Sequence, residues 1–150
     1  PGVVCAVLTA DCLPLLLCSD DGREVAAVHC GWRGLAAGIV GMAVGRFAAA
    51  PTSLRAWLGP AIGALAFEVG DEVRERFVAA DAGAGVCFVP GRAGRWLADL
   101  SALTRRALAA VGVQRVHGGE ACTVGEPERF FSYRRDGVTG RMASLVWRDR

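Results

Sequence analysis

The stretch TADCLPLLLCSDDGREVAAVHCGWRG, residues 9–34, predicts a β-hairpin and carries a cysteine and a histidine near its two ends. The apolar runs 13–18 and 25–28 flank the polar segment 19–23, a pattern typical of two antiparallel strands and their turn. Asp21-Gly22 is a strong signal for a two-residue hairpin loop. We therefore expect the two apolar runs to pair with each other.

The register of this hairpin decides whether Cys12 and His29 can act together. A loop of Asp21-Gly22 places His29 opposite Pro14, and Cys12 lies two residues further along the same face. Such diagonal neighbours have Cα atoms roughly 7–8 Å apart, within reach of one metal ion. A loop one residue longer would put the two side chains on opposite faces. The pair therefore indicates zinc binding or nucleophilic catalysis, with a buried thiol beside a hydrogen-bonded core histidine as the structural alternative.

Composition limits the class of protein. The chain has 150 residues and is 53% hydrophobic, enough for one domain with a core that needs no disulfides. Its 17 basic and 15 acidic residues are dispersed, so no nucleic-acid-binding surface is indicated. Six cysteines without a CxxC pair favour a reducing, cytoplasmic compartment. Neither a signal peptide nor a membrane span is apparent.

The remaining pattern mixes helices and strands without a regular βαβ alternation, which predicts an α+β fold with a mixed sheet. Helices are expected over residues 35–49, 70–80 and 97–111, the first ending at Pro51. Strands are expected over residues 3–8, 54–58, 113–116, 130–135 and 142–147. We predict a single domain over residues 1–150, truncated at its N-terminal side because the chain begins without methionine just before an apolar strand.

Three residues near or beyond the hairpin are further candidates for a site. Asp11 could orient a ligand or a water beside Cys12, or simply cap the end of the strand. Arg33 precedes a predicted helix and could hold an anion such as phosphate, whereas its neighbour Trp32 fits structural packing equally well. The second histidine, His117, ends a predicted strand, where a lone histidine is more often structural.

The segment 130–135 combines aromatic and cationic side chains. Phe131 and Tyr133 could stack on a base or a sugar, while Arg134 and Arg135 could pair with phosphate. A strand with surface salt bridges explains the same residues. The sequence leaves both readings open.

Six blocks of sequence resemble a known family. In chain order they are TADCLP (9–14), AVHCGWRG (27–34), LGPAIG (58–63), FEVG (67–70), FFSYRRDG (130–137) and TGRMAS (139–144). Together they closely resemble the YfiH family of laccase-domain proteins, also called multicopper polyphenol oxidases or peptidoglycan editing factors. Ordered blocks over nearly the whole chain are far more specific than a single motif.

The resemblance implies a layered α/β/β/α sandwich, related to a cytotoxic necrotising factor domain, and a zinc ion held by one cysteine and two histidines. Cys12 and His29 match two of these ligands. The family's other histidine belongs to a Gln-Val-His-Gly motif upstream of the part represented here, so this sequence lacks that ligand. His117-Gly118 stands elsewhere and does not take the role. Cys30 also departs from the family, which usually has alanine there.

Several activities are implied by the resemblance: phenol oxidation with copper, hydrolysis in peptidoglycan-precursor editing, and purine nucleoside phosphorolysis with adenosine deamination. A multicopper relay needs many histidines, whereas this chain has two. Zinc with an open coordination position suits activation of water, phosphate or a substrate oxygen. Purine nucleoside chemistry is therefore favoured over a copper laccase.

In that reading, the small-molecule substrates are a purine nucleoside and phosphate. Asp11 would assist proton transfer beside Cys12 and His29. The arginines at positions 33, 134 and 135 would stabilise the charge of phosphate or of the leaving group. The aromatic residues 131 and 133 would stack on the base. Two alternatives stay open. Cys12 could be a free nucleophile activated by His29 in a hydrolase or amidase, or the chain could be an inactive fragment that lacks its third ligand.

Overall fold

The computed structural model describes residues 2–149, which form nine strands and five helices within that range. The strands are β1 (Val4–Thr9), β2 (Leu13–Ser19), β3 (Val25–Cys30), β4 (Leu54–Leu58), β5 (Glu68–Val69), β6 (Phe88–Pro90), β7 (Trp96–Ala98), β8 (Arg115–Gly118) and β9 (Met142–Trp147). The helices are α1 (Trp32–Ala36), α2 (Ile39–Val44), α3 (Asp71–Ala80), α4 (Leu100–Ala110) and α5 (Tyr133–Asp136), with 3-10 turns at Pro51–Ser53 and Ala82–Cys87.

The strands make three sheets. The central sheet has four strands in the order β3-β2-β4-β8, and it is mixed because β4 and β8 are parallel while the other pairs are antiparallel. β1 and β9 form an antiparallel ribbon, and β5-β7-β6 form a small third sheet. The predicted α+β class with mixed sheets is confirmed.

The β2–β3 hairpin has the predicted register, with His29 opposite Pro14. Its turn is wider than the expected two-residue loop, because the last strand pair is Cys18 with Val25. The Ser19 hydroxyl accepts a hydrogen bond from the Glu24 backbone N–H and donates to the Asp21 carboxylate, so side chains hold the wider turn. The register is unchanged because the loop, residues 19–24, is longer by two residues on each side of Asp21-Gly22.

The core lies on one face of the central sheet. Alternate residues of β2, Leu13, Leu15 and Leu17, are fully buried there together with Leu100 and Leu108 of α4. The helices α1 and α2 pack on β3, while the β1–β9 ribbon packs on the other face of β2 and β3. The outer face of the ribbon carries exposed apolar side chains, among them those of residues 4, 8, 145 and 147. The hairpin is therefore covered on one face by helices and on the other by the ribbon.

The predicted helix over residues 35–49 is wrong in one respect, since it is two short helices. Gly38 has a φ of 81°, a left-handed conformation that ends α1 and starts α2 in a new direction. The helix over 70–80 is confirmed as α3. The helix over 97–111 begins later, at Leu100, because residues 96–98 pair with β5 and β6.

The predicted strand over residues 130–135 is wrong. Residues 133–136 form the helical turn α5, and the Ser132 side chain accepts a hydrogen bond from the Arg135 N–H as its N-cap. Gly137, with a φ of 70°, ends it. The alternation of aromatic and polar residues suits a strand, but the cap and a buried carboxylate described below hold the backbone in a helical turn.

Asp99 caps α4, and its carboxylate accepts a hydrogen bond of 2.8 Å from the Ala102 N–H. We predict that Asp99→Ala lowers the free energy of unfolding by about 1 kcal/mol, because that N–H then loses its partner. Urea unfolding followed by circular dichroism measures the change. Asp99→Ser is the matched control, since serine also caps, and equal losses in both variants would contradict the capping role.

Candidate active site

Cys12 and His29 meet at the end of the hairpin. Cys12 directly precedes β2, and His29 lies near the end of β3 with its side chain exposed, whereas its neighbour Cys30 points into the core. A Cβ atom built on Gly31 would lie 2.9 Å from the Cys12 Sγ and 3.7 Å from the His29 Nε2. The thiol and the imidazole therefore border one small space, which stays open because residue 31 has no side chain.

The donor set in this space is one sulfur and one imidazole nitrogen, which suits zinc or copper. Within residues 2–149, no group of three or more His, Cys, Asp and Glu side chains lies close enough to hold a metal ion. His117 is on β8, at the opposite edge of the central sheet from β3. The described residues thus offer a metal ion two ligands, Cys12 and His29.

Burial is the main influence on the Cys12 thiol. It raises the pKa above the usual 9.0, and the carboxylate of Asp11 adds to the rise, while the guanidinium groups of Arg141 and Arg33 oppose it. Burial also raises the pKa of the Cys30 thiol to about 12. Without a metal ion, both thiols are therefore protonated near neutral pH.

Asp11 connects three parts of the chain. The residue is buried, with 8% of its surface exposed, and one carboxylate oxygen accepts a hydrogen bond of 2.6 Å from the Thr123 hydroxyl. The other oxygen accepts a hydrogen bond of 2.6 Å from the Arg134 backbone N–H in α5. Asp11 also has a φ of 86°, which costs about 1 kcal/mol or more for a residue other than glycine. Both oxygens are used to hold the chain around the site.

A cavity of about 390 Å³ opens beside these residues, within the usual size range of small-molecule sites. Its apolar walls include Ile62, Phe67 and Leu100. Its polar or reactive lining comprises Thr9, Asp11, Cys12, His29, Arg33, Tyr133, Arg134 and Arg141. The structure thus gathers side chains from the hairpin, α1, α5 and the segment before β9 around one pocket.

The cationic and aromatic candidates divide into two groups. Arg33, Tyr133 and Arg134 line the cavity, and the Arg33 guanidinium lies 4.5 Å from the centre of the Trp32 ring. Phe131 and Arg135 are not in the lining. Phe131 packs against Gly140, where a Cβ would lie 2.9 Å from its ring.

The Arg135 guanidinium is occupied in structural bonds. It donates to the backbone carbonyls of Thr123 and Phe130, at 2.8 Å and 3.0 Å, and pairs with the Asp136 carboxylate. These bonds tie α5 to the segment around Thr123. Arg135 therefore does not line the cavity but stabilises α5, whose residues 133 and 134 do.

Sequence reasoning missed two groups in this region. Arg141 lines the cavity but lies within a chain whose 17 basic residues are all arginine, so nothing local distinguished it. Thr123 is fully buried and holds Asp11, yet its partner is 112 residues away along the chain. The only available signal for Arg141 was its place in the TGRMAS block.

A larger groove, about 860 Å³, runs along the β3 edge between α2 and the ribbon. It is lined mostly by apolar residues, among them Val25, Val28, Ile39 and Phe47, and it shares His29 with the smaller cavity. The smaller cavity brings Cys12, His29 and three arginines together, so we take it as the candidate active site.

None of the helices in residues 2–149 combines the length and the apolar character that crossing a membrane requires.

The comparisons with known proteins concern sequence and fold. The sequence profile of a family described as multi-copper polyphenol oxidoreductase laccase matches residues 1–149. Two curated relatives named purine nucleoside phosphorylase YfiH, from Shigella flexneri and Escherichia coli K12, are 58% and 57% identical over 147 residues. Each match covers 98% of this chain and 60% of the relative, so the chain spans about 60% of their length.

Solved structures give the same result. A Neisseria meningitidis protein matches with a TM-score of 0.97 and 51% identity, over 99% of this chain and 61% of that one. YlmD from Geobacillus stearothermophilus matches with a TM-score of 0.93 and 34% identity, over 99% of this chain and 58% of that one. By sequence profile, by close relatives and by fold, the chain belongs to the YfiH family of laccase-domain proteins.

Proposed function

We propose that the protein is a zinc-dependent purine nucleoside phosphorylase that also deaminates adenosine and works in the reducing cytoplasm. The observation that carries the proposal is the convergence of the Cys12 Sγ and the His29 Nε2 on one space beside a cavity lined by arginines. The names of the relatives support the nucleoside substrate. The six free cysteines support a reducing compartment.

Phosphorolysis exchanges one bond for another at C1′ of the ribose. A phosphate oxygen forms a bond to C1′, the bond from C1′ to the purine nitrogen breaks, and the base leaves with the electron pair and takes up a proton. Negative charge therefore enters with phosphate and moves onto the leaving base. A pocket for this reaction needs cations beside the sugar and a way to supply a proton.

Cys12 and His29 would hold the zinc ion, with a third ligand from a part of the protein outside these 150 residues. When bound, zinc supplies Lewis-acid polarisation of a substrate or water oxygen. As a zinc ligand, Cys12 would be a thiolate, and the positive charge of the metal would offset the burial that otherwise keeps this thiol protonated. The donor types and the space above Gly31 support this assignment.

The remaining residues bind and orient the substrates. Arg33 and Arg134 bring positive charge to the cavity, and Tyr133 offers an exposed ring for stacking on the base. Asp11 keeps Arg134 in place through its backbone N–H, so the structure supports an orienting role more than direct proton transfer. Arg135 and Phe131 would act indirectly, by shaping α5 and the loop before β9.

A hydrolase or amidase with Cys12 as a free nucleophile is a weaker candidate. Such enzymes need a thiolate near neutral pH, usually with a strongly lowered pKa. The pKa of Cys12 is shifted the opposite way. The described residues bring one imidazole, that of His29, to the cavity, which supports a single metal ion more than a multicopper relay.

The first test replaces Cys12 in the full-length gene product. We predict that Cys12→Ala lowers zinc affinity by more than about 100-fold and abolishes phosphorolysis of inosine and adenosine. Removing a residue that only hydrogen-bonds to a metal ligand already lowers affinity by about 10- to 100-fold, and removing the ligand itself should lower it further. Elemental analysis and ribose-1-phosphate formation measure the two effects. Cys30→Ala is the matched control, because that thiol faces the core. Unchanged zinc content and turnover in Cys12→Ala would refute the proposal.

The second test fills the shared space without removing a ligand. Gly31 has a φ of −72°, which alanine also adopts, so Gly31→Ala should fold normally. Its methyl group would lie 2.9 Å from the Cys12 Sγ. Overpacking costs about 1–3 kcal/mol, so we predict zinc affinity about 10- to 100-fold weaker, measured by competition with a chelating dye.

Gly85→Ala is the control, because its Cβ would meet nothing closer than 3.9 Å. The control should keep both zinc affinity and melting temperature. If Gly31→Ala binds zinc as tightly as the wild type, Cys12 and His29 do not share a metal ion.

The third test separates a metal ligand from a free nucleophile. Because the pKa of Cys12 is raised above 9.0, alkylation of the metal-free protein by iodoacetamide should accelerate with pH up to and beyond pH 9. Mass spectrometry of the Cys12 peptide gives the rate. Cys30, whose pKa is about 12, is the internal reference and should react far more slowly. A rate that is already maximal at pH 7 would favour the hydrolase instead.

A further inference from the structure

The candidate cavity carries an excess of positive charge. Three arginines, at positions 33, 134 and 141, line it, and Asp11 is the one acidic residue in its lining. Both oxygens of the Asp11 carboxylate are already hydrogen-bonded, to the Thr123 hydroxyl and to the Arg134 backbone N–H. The carboxylate is therefore directed at the protein, and the guanidinium groups are left to meet a ligand.

The three arginines are not equally available. The Arg134 guanidinium donates to the Glu68 backbone carbonyl at 3.1 Å and lies 5.5 Å from the centre of the Phe67 ring. The Arg33 guanidinium rests on the Trp32 ring and pairs with no acidic side chain in the part of the chain that is described. Arg33 is therefore freer than Arg134 to bind an anion.

Arg141 is held in place but keeps donors free. One nitrogen, Nη1, donates to the backbone carbonyls of Thr139 and Gly140 at 3.0 Å and 2.9 Å. These local bonds fix the side chain just before β9, where Met142 pairs with Thr9 at the pocket end of the ribbon. A guanidinium group has five N–H donors, so Nε and Nη2 can still donate to a ligand.

Arg33 and Arg141 line the same cavity as the Cys12 thiol. They reach the cavity from different elements, Arg33 from α1 and Arg141 from the segment before β9. Two guanidinium groups that reach one cavity from separate elements are suited to an oxyanion with several oxygens.

We propose that Arg33 and Arg141 form the subsite that binds inorganic phosphate, and that Arg141 determines the affinity for this second substrate. The inference rests on the proposed function in one respect, the identity of the anion as phosphate. It replaces Arg135 as a phosphate contact, since the guanidinium of Arg135 is used by backbone carbonyls and Asp136. Arg134 is not assigned to the subsite, because its guanidinium lies on the Phe67 ring and donates to the Glu68 carbonyl.

The experiment measures phosphate binding and kinetics on the zinc-loaded full-length gene product. Isothermal titration with inorganic phosphate gives Kd, and initial rates at varied phosphate and varied inosine give both KM values. For Arg141→Ala we expect Kd and KM for phosphate to rise about 10- to 100-fold, the effect of losing a charge-assisted hydrogen bond. The KM for inosine should change by less than about 2-fold, because the variant removes a contact to phosphate and leaves the contacts to inosine intact.

Two variants control for structural effects. Arg141→Lys keeps the charge but not the planar fork, so it should recover part of the phosphate affinity. Arg76→Ala removes an exposed arginine on α3 outside the cavity and should bind phosphate like the wild type. Equal Kd values for Arg141→Ala and Arg76→Ala would overturn the inference. So would a rise in the KM of both substrates by the same factor, which indicates general damage to the pocket.

The inference and the proposed function fail in different ways. A wild-type protein that binds phosphate through Arg141 but cleaves no nucleoside would refute the function and keep the subsite. A wild-type protein that cleaves nucleosides and binds phosphate independently of Arg141 would keep the function and refute the subsite. A wild-type protein that does not bind phosphate at all would refute the subsite.

Discussion

The pairing of β2 with β3 determines which faces of the central sheet His29 and Cys30 occupy. Because side chains alternate along a strand, the register that sets Pro14 opposite His29 also sets Leu13 opposite Cys30. Leu13 and Cys30 then face the helices and are fully buried, while His29 faces the cavity. A slip of one residue would bury the imidazole and expose the leucines of β2. The apolar core therefore enforces the position of the site.

A second constraint, the carboxylate of Asp11, joins the hairpin to the rest of the cavity. Hydrogen bonds to charged groups contribute about 1.5–3 kcal/mol each, enough to offset the strain of about 1–3 kcal/mol from its positive φ. The strained backbone turns the chain just before Cys12, and the two bonds fix Thr123 and α5 against that turn. One side chain thus positions Cys12 and the wall that carries Tyr133 and Arg134.

Local patterns predicted the parts of this fold that depend on local physics. The hairpin register, α3 and β9 follow from apolar periodicity and turn residues, and the structure has them where the sequence predicts them. The segment 130–135 did not follow, because its helical turn depends on Asp11, more than 120 residues earlier. The donors that Arg141 keeps for a ligand could not be predicted for the same reason. How many N–H groups of a guanidinium remain depends on the oxygens beside it: Arg135 donates through Nε, Nη1 and Nη2, whereas Arg141 donates to backbone carbonyls through Nη1.

The protonation state of the Cys12 thiol follows from its burial beside the first strand of the hairpin. Burial alone would hold Cys12 in its neutral form, unsuited to attack on a substrate, and Asp11 strengthens that effect. A metal ion reverses it by exchanging the proton for a cation, so the same burial that disables a nucleophile is compatible with a metal ligand. Arg33 and Arg141 act in the same direction as the metal, because positive charge favours both the thiolate and an incoming oxyanion. In the proposed enzyme, the thiolate and phosphate would both be stabilised by the positive charge gathered at this cavity.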